Sequence, residues 1–450
     1  MLRATQEYGK MRGCLNPSSI RYSIMDTITQ QIREMYERYP YPKRDLNYIE
    51  NLLAVAKSSS EHFFSTRMAI EIVTGEKAKR GLKIFNAGCG TGENFIFQAI
   101  NEPESEFVLL DVTPGSLEKV RGYVKHYNLQ NVKVIEGDIM ELDSYMGAEY
   151  ENYFDFVICT GVLHHLPSPE TGLKNIRKKM KPDGMMLLML YGGYGRYEIS
   201  LLQKSLNILE KDRTRFSERM EVLREIADYL RISKEPLRLS LSPTIKSYLS
   251  VKDYKIEEAV DAFLHVNENV YSVEGIFRFL DTADLRFLQF DDEPVWNPAL
   301  RPFPALAKRM AGLSTLEKYS LLEIFDGYKK VHTFFCADRA RRVEPPGINE
   351  IKDCKIFSWP RSSLIEYGKN ISGYNSEYRF FTSDAGEDSY RFYKFPLTPI
   401  DREIVLCSKE GRSYASLVKA VNKRSSVEQS DFMESVRRLH DNKVIYFVRN

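Results

Sequence analysis

A chain of 450 residues has room for roughly two to four domains and a sizeable core, and 43% hydrophobic with 28% charged residues excludes a fibre or a disordered tail. Lys and Arg number 64 against 62 acidic residues, a balance that gives no general attraction to nucleic acid or to an anionic membrane. No apolar run nears the roughly 18 residues of a membrane span, the start lacks an export-type apolar stretch, and the six cysteines lie apart without a Cys-x-x-Cys pair, so a cytoplasmic chain with reduced thiols and no metal site is expected.

Residues 1–80 read as a helical N-terminal cover with one interruption, Met35-Tyr36-Glu-Arg-Tyr39-Pro40-Tyr41-Pro42. Two prolines at alternate positions cannot continue a helix. The favoured reading is that the tyrosines seal the apolar face of the cover; the alternative makes Tyr39 and Tyr41 a lid over a ligand. Residues 81–191 open with Leu82-Lys-Ile-Phe-Asn-Ala-Gly88-Cys-Gly90-Thr-Gly92, an apolar strand running into alternating glycines and then a helix. Glycines there let the backbone turn tightly and approach a ligand. The next apolar run, Glu106-Phe-Val-Leu-Leu-Asp111, ends in a carboxylate about where an open α/β fold presents an acid to ribose hydroxyls. A dinucleotide fingerprint would be Gly-x-Gly-x-x-Gly; the spacing here is Gly-x-Gly-x-Gly, which disfavours a nicotinamide oxidoreductase. Then come strand, loop acid, strand, loop, helix, turn and strand: Val134-Ile-Glu-Gly-Asp138-Ile139, Phe154-Asp155 through His164-His165, a helix over 173–180, Lys181-Pro-Asp-Gly184 and a strand to Tyr191.

After Tyr191 the alternation stops. Gly192-Gly-Tyr-Gly195-Arg196 reads as a flexible break, 197–232 has helical apolar spacing, 240–270 is irregular, and a helix opens after Tyr271 and runs through Leu280. Residues 192–283 would be a helical insert shaping an acceptor site. Residues 284–338 hold two alternating runs, Leu285-Arg-Phe-Leu-Gln-Phe290 and Val331-His-Thr-Phe-Phe-Cys336, expected as the last strands of the sheet. In 339–450, Arg339 to Gly347 reads as a linker, and three short helices followed by a strand at 444–448 have the order of a winged helix.

The ordered elements of 82–191 resemble the class I S-adenosylmethionine-dependent methyltransferases. The resemblance implies a Rossmann-like seven-stranded α/β sheet with a helical N-terminal cover, a long helical insert and a small winged-helix-like C-terminal domain, with S-adenosylmethionine as cosubstrate. It also implies roles: Gly88, Gly90 and Gly92 under the methionine part and sulfonium, Asp111 on the ribose hydroxyls, and Asp138 with the Ile139 amide at the adenine edge. Asp155 would have a folding role. Asn86 stands where the family usually has Asp or Glu, though an amide can still hydrogen-bond. The Tyr-x-x-x-Pro-Tyr-Pro segment, Leu190 to Arg196, and Asp261-Ala-Phe-Leu-His265 also look like segments of bacterial methyltransferases, extending the match from about residue 36 to 338. A winged-helix-like tail is present in some bacterial protein-lysine methyltransferases.

Methyl transfer from a sulfonium is an in-line displacement, so holding donor and acceptor collinear and dry can supply most of the catalysis. A base is needed only if the acceptor must lose a proton. His164 and His165, after the fourth strand, are the candidates; the competing reading is that they anchor the loop. His265 and Tyr271 could contact an acceptor or simply pack within the insert, and Arg196 could bind an acidic acceptor group or solvate its loop. Lys419, Lys423 and Arg424 in the tail fit a solvated helix face better than a nucleic-acid groove. The expectation is a methyltransferase acting on an unidentified acceptor, a protein amine or a small metabolite, with homo-oligomerisation left open; the alternative is a non-catalytic regulatory protein that binds S-adenosylmethionine.

Overall fold

Near-continuous apolar runs make strands that are buried on both faces, as in β1 (Lys83–Ala87), β2 (Glu106–Asp111) and β4 (Phe154–Thr160), and these assemble with β3 (Val132–Glu136), β5 (Met180–Tyr191), β6 (Leu285–Phe290) and β7 (Val331–Asp338) into one seven-stranded sheet. Their order is β3-β2-β1-β4-β5-β7-β6. The first five pair in parallel, while β7 runs antiparallel to both β5 and β6. This is a Rossmann-like mixed sheet of the class I methyltransferase type. The computed structural model describes residues 17–42, 46–58, 65–232, 256–300, 304–359, 362–366, 376–381 and 392–450. Most of the stretch read as irregular, up to residue 255, therefore lies outside the described residues.

Three apolar clusters organise the layers. Phe85, Val108, Val157, Leu173 and Met186 belong to the cluster on one face of the sheet, and Ile84, Leu109, Leu117, Val120 and Phe156 to that on the other. The odd-even alternation of neighbours such as Ile84 and Phe85 follows from the two-residue period of a strand. The third cluster lies off the sheet. Ile32 and Met35 of the helix Pro17–Arg38 join Leu202 and Leu206 of Tyr197–Leu209, Phe216 and Leu223 of Phe216–Ile232, and Val260 and Phe263 of Ile256–Phe263. At about 1.5–3 kcal/mol for each large apolar side chain buried, this contact makes the N-terminal cover and the insert one layer. The helical spacing over 197–232 is broken into two helices by residues 210–215. The cover is also tied to the sheet side: Glu37 Oε1 accepts from the Gly115 amide at 2.8 Å, placing a carboxylate on the N-terminus of helix Pro114–His126.

The C-terminal part adds two features to the sequence expectation. Residues 339–347 are not a free tether: Arg339 N donates to Asp284 O at 2.9 Å, Arg341 Nη1 to Gly184 O at 3.0 Å, and Pro346 lies directly against Gly75. Beyond them, β8 (Cys354–Ser358) pairs with β12 (Arg412–Ser413) and β13 (Ile445–Arg449), and β9 (Ser362–Glu366), β10 (Ser376–Phe381) and β11 (Phe392–Leu397) form a separate antiparallel sheet. The helices Pro399–Ser408, Tyr414–Asn422 and Gln429–Asp441 pack on the first of these sheets. Strands 354–397 escaped the sequence reading because each mixes polar with apolar residues and none alternates strongly.

Candidate active site

The loops at the carboxyl ends of β1 to β5 face the helical layer across a cleft of about 520 Å³. Open α/β sheets bind ligands at this edge. Gly88 follows β1 at φ +84°, and a Cβ there would lie 2.4 Å from Val162 Cγ2; Gly92 opens the helix Glu93–Asn101 at φ +77°, and its Cβ would lie 2.7 Å from Val120. These two glycines are required by the turn and by packing beneath it. Gly90, between them, lies near the Tyr41 carbonyl, where a Cβ would be 3.6 Å from the oxygen. The loop is held to β2 by the Gly88 and Cys89 amides, which donate to Leu110 O at 2.8 and 2.9 Å.

Asp111 closes β2 with its carboxylate fixed at both oxygens: Gly90 N donates to Oδ2 at 2.8 Å and Thr113 N to Oδ1 at 2.9 Å. Burial pushes its pKa up, and the Gly90 and Thr113 amides partly oppose that shift. Asp138 and Ile139 line the cleft after β3, where Asp138 Oδ1 accepts from Met140 N at 2.8 Å and caps the short 3-10 turn Ile139–Glu141. Gly88, Gly90, Gly92, Asp111, Asp138 and Ile139 are thus brought together in a single concavity. Asn86 is not on its surface; it is buried one residue behind Ala87, and neither end of its amide finds a hydrogen-bond partner.

The N-terminal segment crosses directly over the glycine loop. Tyr41 and Pro42 line the cleft, and the Thr91 hydroxyl reaches the Pro42 carbonyl at 3.1 Å. Tyr39 points elsewhere, its ring edge-on to Phe216 at 5.6 Å, in keeping with a sealing role between cover and insert.

The two histidines after β4 sit in the 3-10 turn Leu163–His165 and are buried. His164 does not reach the cleft; its ring lies 3.9 Å from that of Tyr191, and burial together with His165 depresses its pKa well below the usual value. His165 lines the cleft. Its Nδ1 is 2.8 Å from Asn267 O, so Nδ1 carries the proton and Nε2 keeps its lone pair, with no hydrogen-bond partner. Burial lowers its pKa to about 3, so the ring is neutral at physiological pH. His265 stacks on it with ring centroids 3.5 Å apart and accepts from Asn267 N at 3.2 Å. The turn is clamped from the insert: Asn267 Nδ2 donates to His165 O and Leu166 O at 3.1 and 2.9 Å, and Asn269 N to His164 O at 2.8 Å. Tyr271 is also used structurally, bonding through its amide to Tyr191 O at 2.8 Å and packing its ring on Phe279.

Arg196 lines the cleft but is not available to an acidic acceptor. It is 5% exposed and forms a fork with Glu268, Nε to Oε1 at 3.0 Å and Nη2 to Oε2 at 2.7 Å, with its guanidinium 3.7 Å from the Tyr191 ring centre. Beside it is a residue that the sequence reading named within a segment but gave no role. Asp261 is buried on the cleft wall and accepts from Tyr36 OH at 2.9 Å and Tyr191 OH at 3.5 Å. Its one sequence signal was an acid set among apolar residues at helical spacing, Val260-Asp-Ala-Phe.

This geometry fits an adenosine-type cosubstrate, with a half-buried acid at the end of β2, Gly90 on the cleft surface and a second acid after β3. A family model described as a methyltransferase domain matches residues 85–186, which carry the glycine loop, both acids and the histidine turn. The chain carries a class I methyltransferase domain. An uncharacterized protein of Synechococcus sp. is 27% identical over 309 residues, 68% of this chain and 70% of that protein. The ubiquinone biosynthesis O-methyltransferase of Neisseria meningitidis is 28% identical over 120 residues, 26% of this chain and 48% of the relative. Demethylmenaquinone methyltransferase of Staphylococcus aureus is 30% identical over 112 residues, 25% of this chain and 44% of the relative, so the chain spans less than half of either named enzyme. Among solved structures, PKMT2 from Rickettsia typhi in complex with AdoHcy superposes with a TM-score of 0.60 over 87% of this chain and 76% of that one, at 16% identity. That likeness extends the shared fold beyond the methyltransferase domain. The donor is S-adenosylmethionine, and the reaction is methyl transfer. Among the described residues no helix is long and apolar enough to cross a membrane, and no cluster of metal-ligating side chains occurs.

Proposed function

We propose that the methyltransferase domain binds S-adenosylmethionine across the glycine loop with Asp111 on the ribose hydroxyls, and that the cover and the insert form the acceptor half of the cleft. The observation that carries this reading is the Asp111 carboxylate, fixed on the Gly90 and Thr113 amides within a concavity of about 520 Å³. That volume lies within the ordinary range of small-molecule sites and leaves room for donor and reacting group together. Asp138 and the Ile139 amide would meet the adenine edge, and Tyr41 and Pro42 would cover the loop from the N-terminal side.

The acceptor lone pair forms the new bond to the methyl carbon as the carbon–sulfur bond breaks; the electron pair goes to sulfur, and the sulfonium becomes the thioether of S-adenosylhomocysteine. The protein's part is alignment and exclusion of water. His165, neutral and with its Nε2 lone pair directed by the Asn267 bond, is suited to positioning an acceptor proton; His164 has only the anchoring role. In calorimetry with S-adenosylhomocysteine, Asp111→Asn is expected to weaken binding by about tenfold to a hundredfold, the value of one or two hydrogen bonds to a charged group. Unchanged affinity would remove Asp111 from the ribose site. Incubation of the wild type with methyl-labelled S-adenosylmethionine and cell lysate, followed by sizing of the label, separates a protein acceptor from a metabolite.

A further inference from the structure

The wall of the cleft opposite the glycine loop holds an uncompensated buried charge. Among the described residues, Asp261 is bonded by two phenol hydroxyls, Tyr36 from the cover and Tyr191 from the end of β5, and by no cation. The charged groups that act on it are Arg196 and Glu268, and these two neutralise each other in their fork at 2.7 Å. Burying a carboxylate without a counter-charge costs several kcal/mol in principle, and folding alone gives no reason for it: an asparagine would fill the same space and bond the same tyrosines. The acid is also where an acceptor belongs, on the cleft surface between cover, insert and the end of β5.

Resting on the methyl-transfer reading, we infer that Asp261 is the seat of a cationic acceptor nitrogen, so that the substrate is a primary or secondary amine held as its ammonium between Tyr36 and Tyr191. Burial pushes the Asp261 carboxyl up to about 6, the direction expected of an acid waiting for a positive partner. The ammonium sheds one proton to this carboxylate, which frees the lone pair; nitrogen then bonds the methyl carbon as the carbon–sulfur bond breaks, the electron pair passes to sulfur, and the proton leaves to water.

The donor sulfonium is the competing cation, and one set of measurements on the full chain tells them apart. Calorimetry with S-adenosylhomocysteine comes first, and failure of the wild type to bind it would overturn the methyl-transfer reading rather than this assignment. On the saturated wild type, n-butylammonium chloride should bind and n-butanol should not. In Asp261→Asn the ammonium should weaken about 30-fold or more, the effect of removing one member of a buried charge pair, while S-adenosylhomocysteine binds as before, which also shows that the variant is folded. Equal binding of ammonium and alcohol, or ammonium binding indifferent to the substitution, sinks the proposal. So does a loss of S-adenosylmethionine affinity with S-adenosylhomocysteine unaffected, because that gives the carboxylate to the sulfonium. The wild-type comparison of ammonium with alcohol stands even if the variant does not fold.

Discussion

Asp111 and Asp155, both near strand ends, sit in different surroundings: the first lines the cleft and the second does not. Asp155, second in β4, is 9% exposed at its side chain and bonded to Lys79 Nζ and Lys181 Nζ at 2.6 Å each and to the Lys83 amide at 2.9 Å, far from the cleft. Asp155→Ala is expected to cost about 2–4 kcal/mol in urea unfolding, since it strands partly buried donors, with S-adenosylhomocysteine affinity of the folded fraction unchanged. His165 makes a prediction in pH. Its folded pKa of about 3 lies below the unfolded value near 6.5, so the unfolded chain binds the extra proton first, and the stability this group confers is present above pH 6.5 and lost as pH falls toward 3. Between pH 7 and pH 5 the wild type should therefore lose about 2 kcal/mol relative to His165→Asn, which has no proton to gain. Paired urea titrations at the two pH values measure that difference, and a constant gap would show that the ring is not buried neutral. The residues that sequence made legible are those with a local signature, the alternating glycines and the acid ending β2. Asp261 has only a weak one, an acid among apolar residues, because what distinguishes it is the convergence of Tyr36 and Tyr191 from distant parts of the chain.

At the scale of elements, the cover and insert share one apolar cluster, the Arg196–Glu268 pair ties the start of the insert to its later part, and the Arg196 guanidinium lies on the Tyr191 ring at the end of β5. Glu268→Gln leaves a buried guanidinium without its counter-charge, expected to cost about 3 kcal/mol. Limited proteolysis should then cut first within 192–283, whereas cleavage starting elsewhere would mean the pair does not secure the insert. Strands β1 to β7 could be read from sequence because apolar runs bounded by turn residues, and for β6 and β7 alternating ones, are their own signal. The break between the two helices of 197–232 could not, since helical spacing continues in phase on either side of residues 210–215.

For the whole molecule, apolar contact runs without interruption from Phe85 in the sheet to Val448 near the carboxyl end, and Arg449 N donates to Gly75 O at 2.8 Å. The C-terminal elements are therefore expected to unfold together with the sheet. Trp296 and Trp359, one beside β6 and one after β8, provide the probe: their fluorescence and the far-ultraviolet signal should change in a single coincident transition. An earlier fluorescence change would show an independently folding tail. Gly75→Ala tests the junction, because Gly75 has φ +66° and a Cβ would fall 2.0 Å from Pro346 Cδ; a loss of about 1–3 kcal/mol is expected. That the connecting segment 339–347 is held down was not legible, since prolines and charges describe a loop whether or not something lies beneath it.

The insert is bolted at both of its ends. Gly192 and Gly195 press against the backbone of Lys329 so closely that a Cβ at either would fall within 2.5 Å of it, and Asn267 and Asn269 grip the carbonyls of the histidine turn. A segment anchored twice to the floor of the cleft behaves as a mould and not as a jaw. On the proposed reading, in which this segment forms the acceptor half of the cleft, selection among acceptors comes from shape and charge already in place, and retargeting by exchange of the segment would require both fastenings to be transplanted with it.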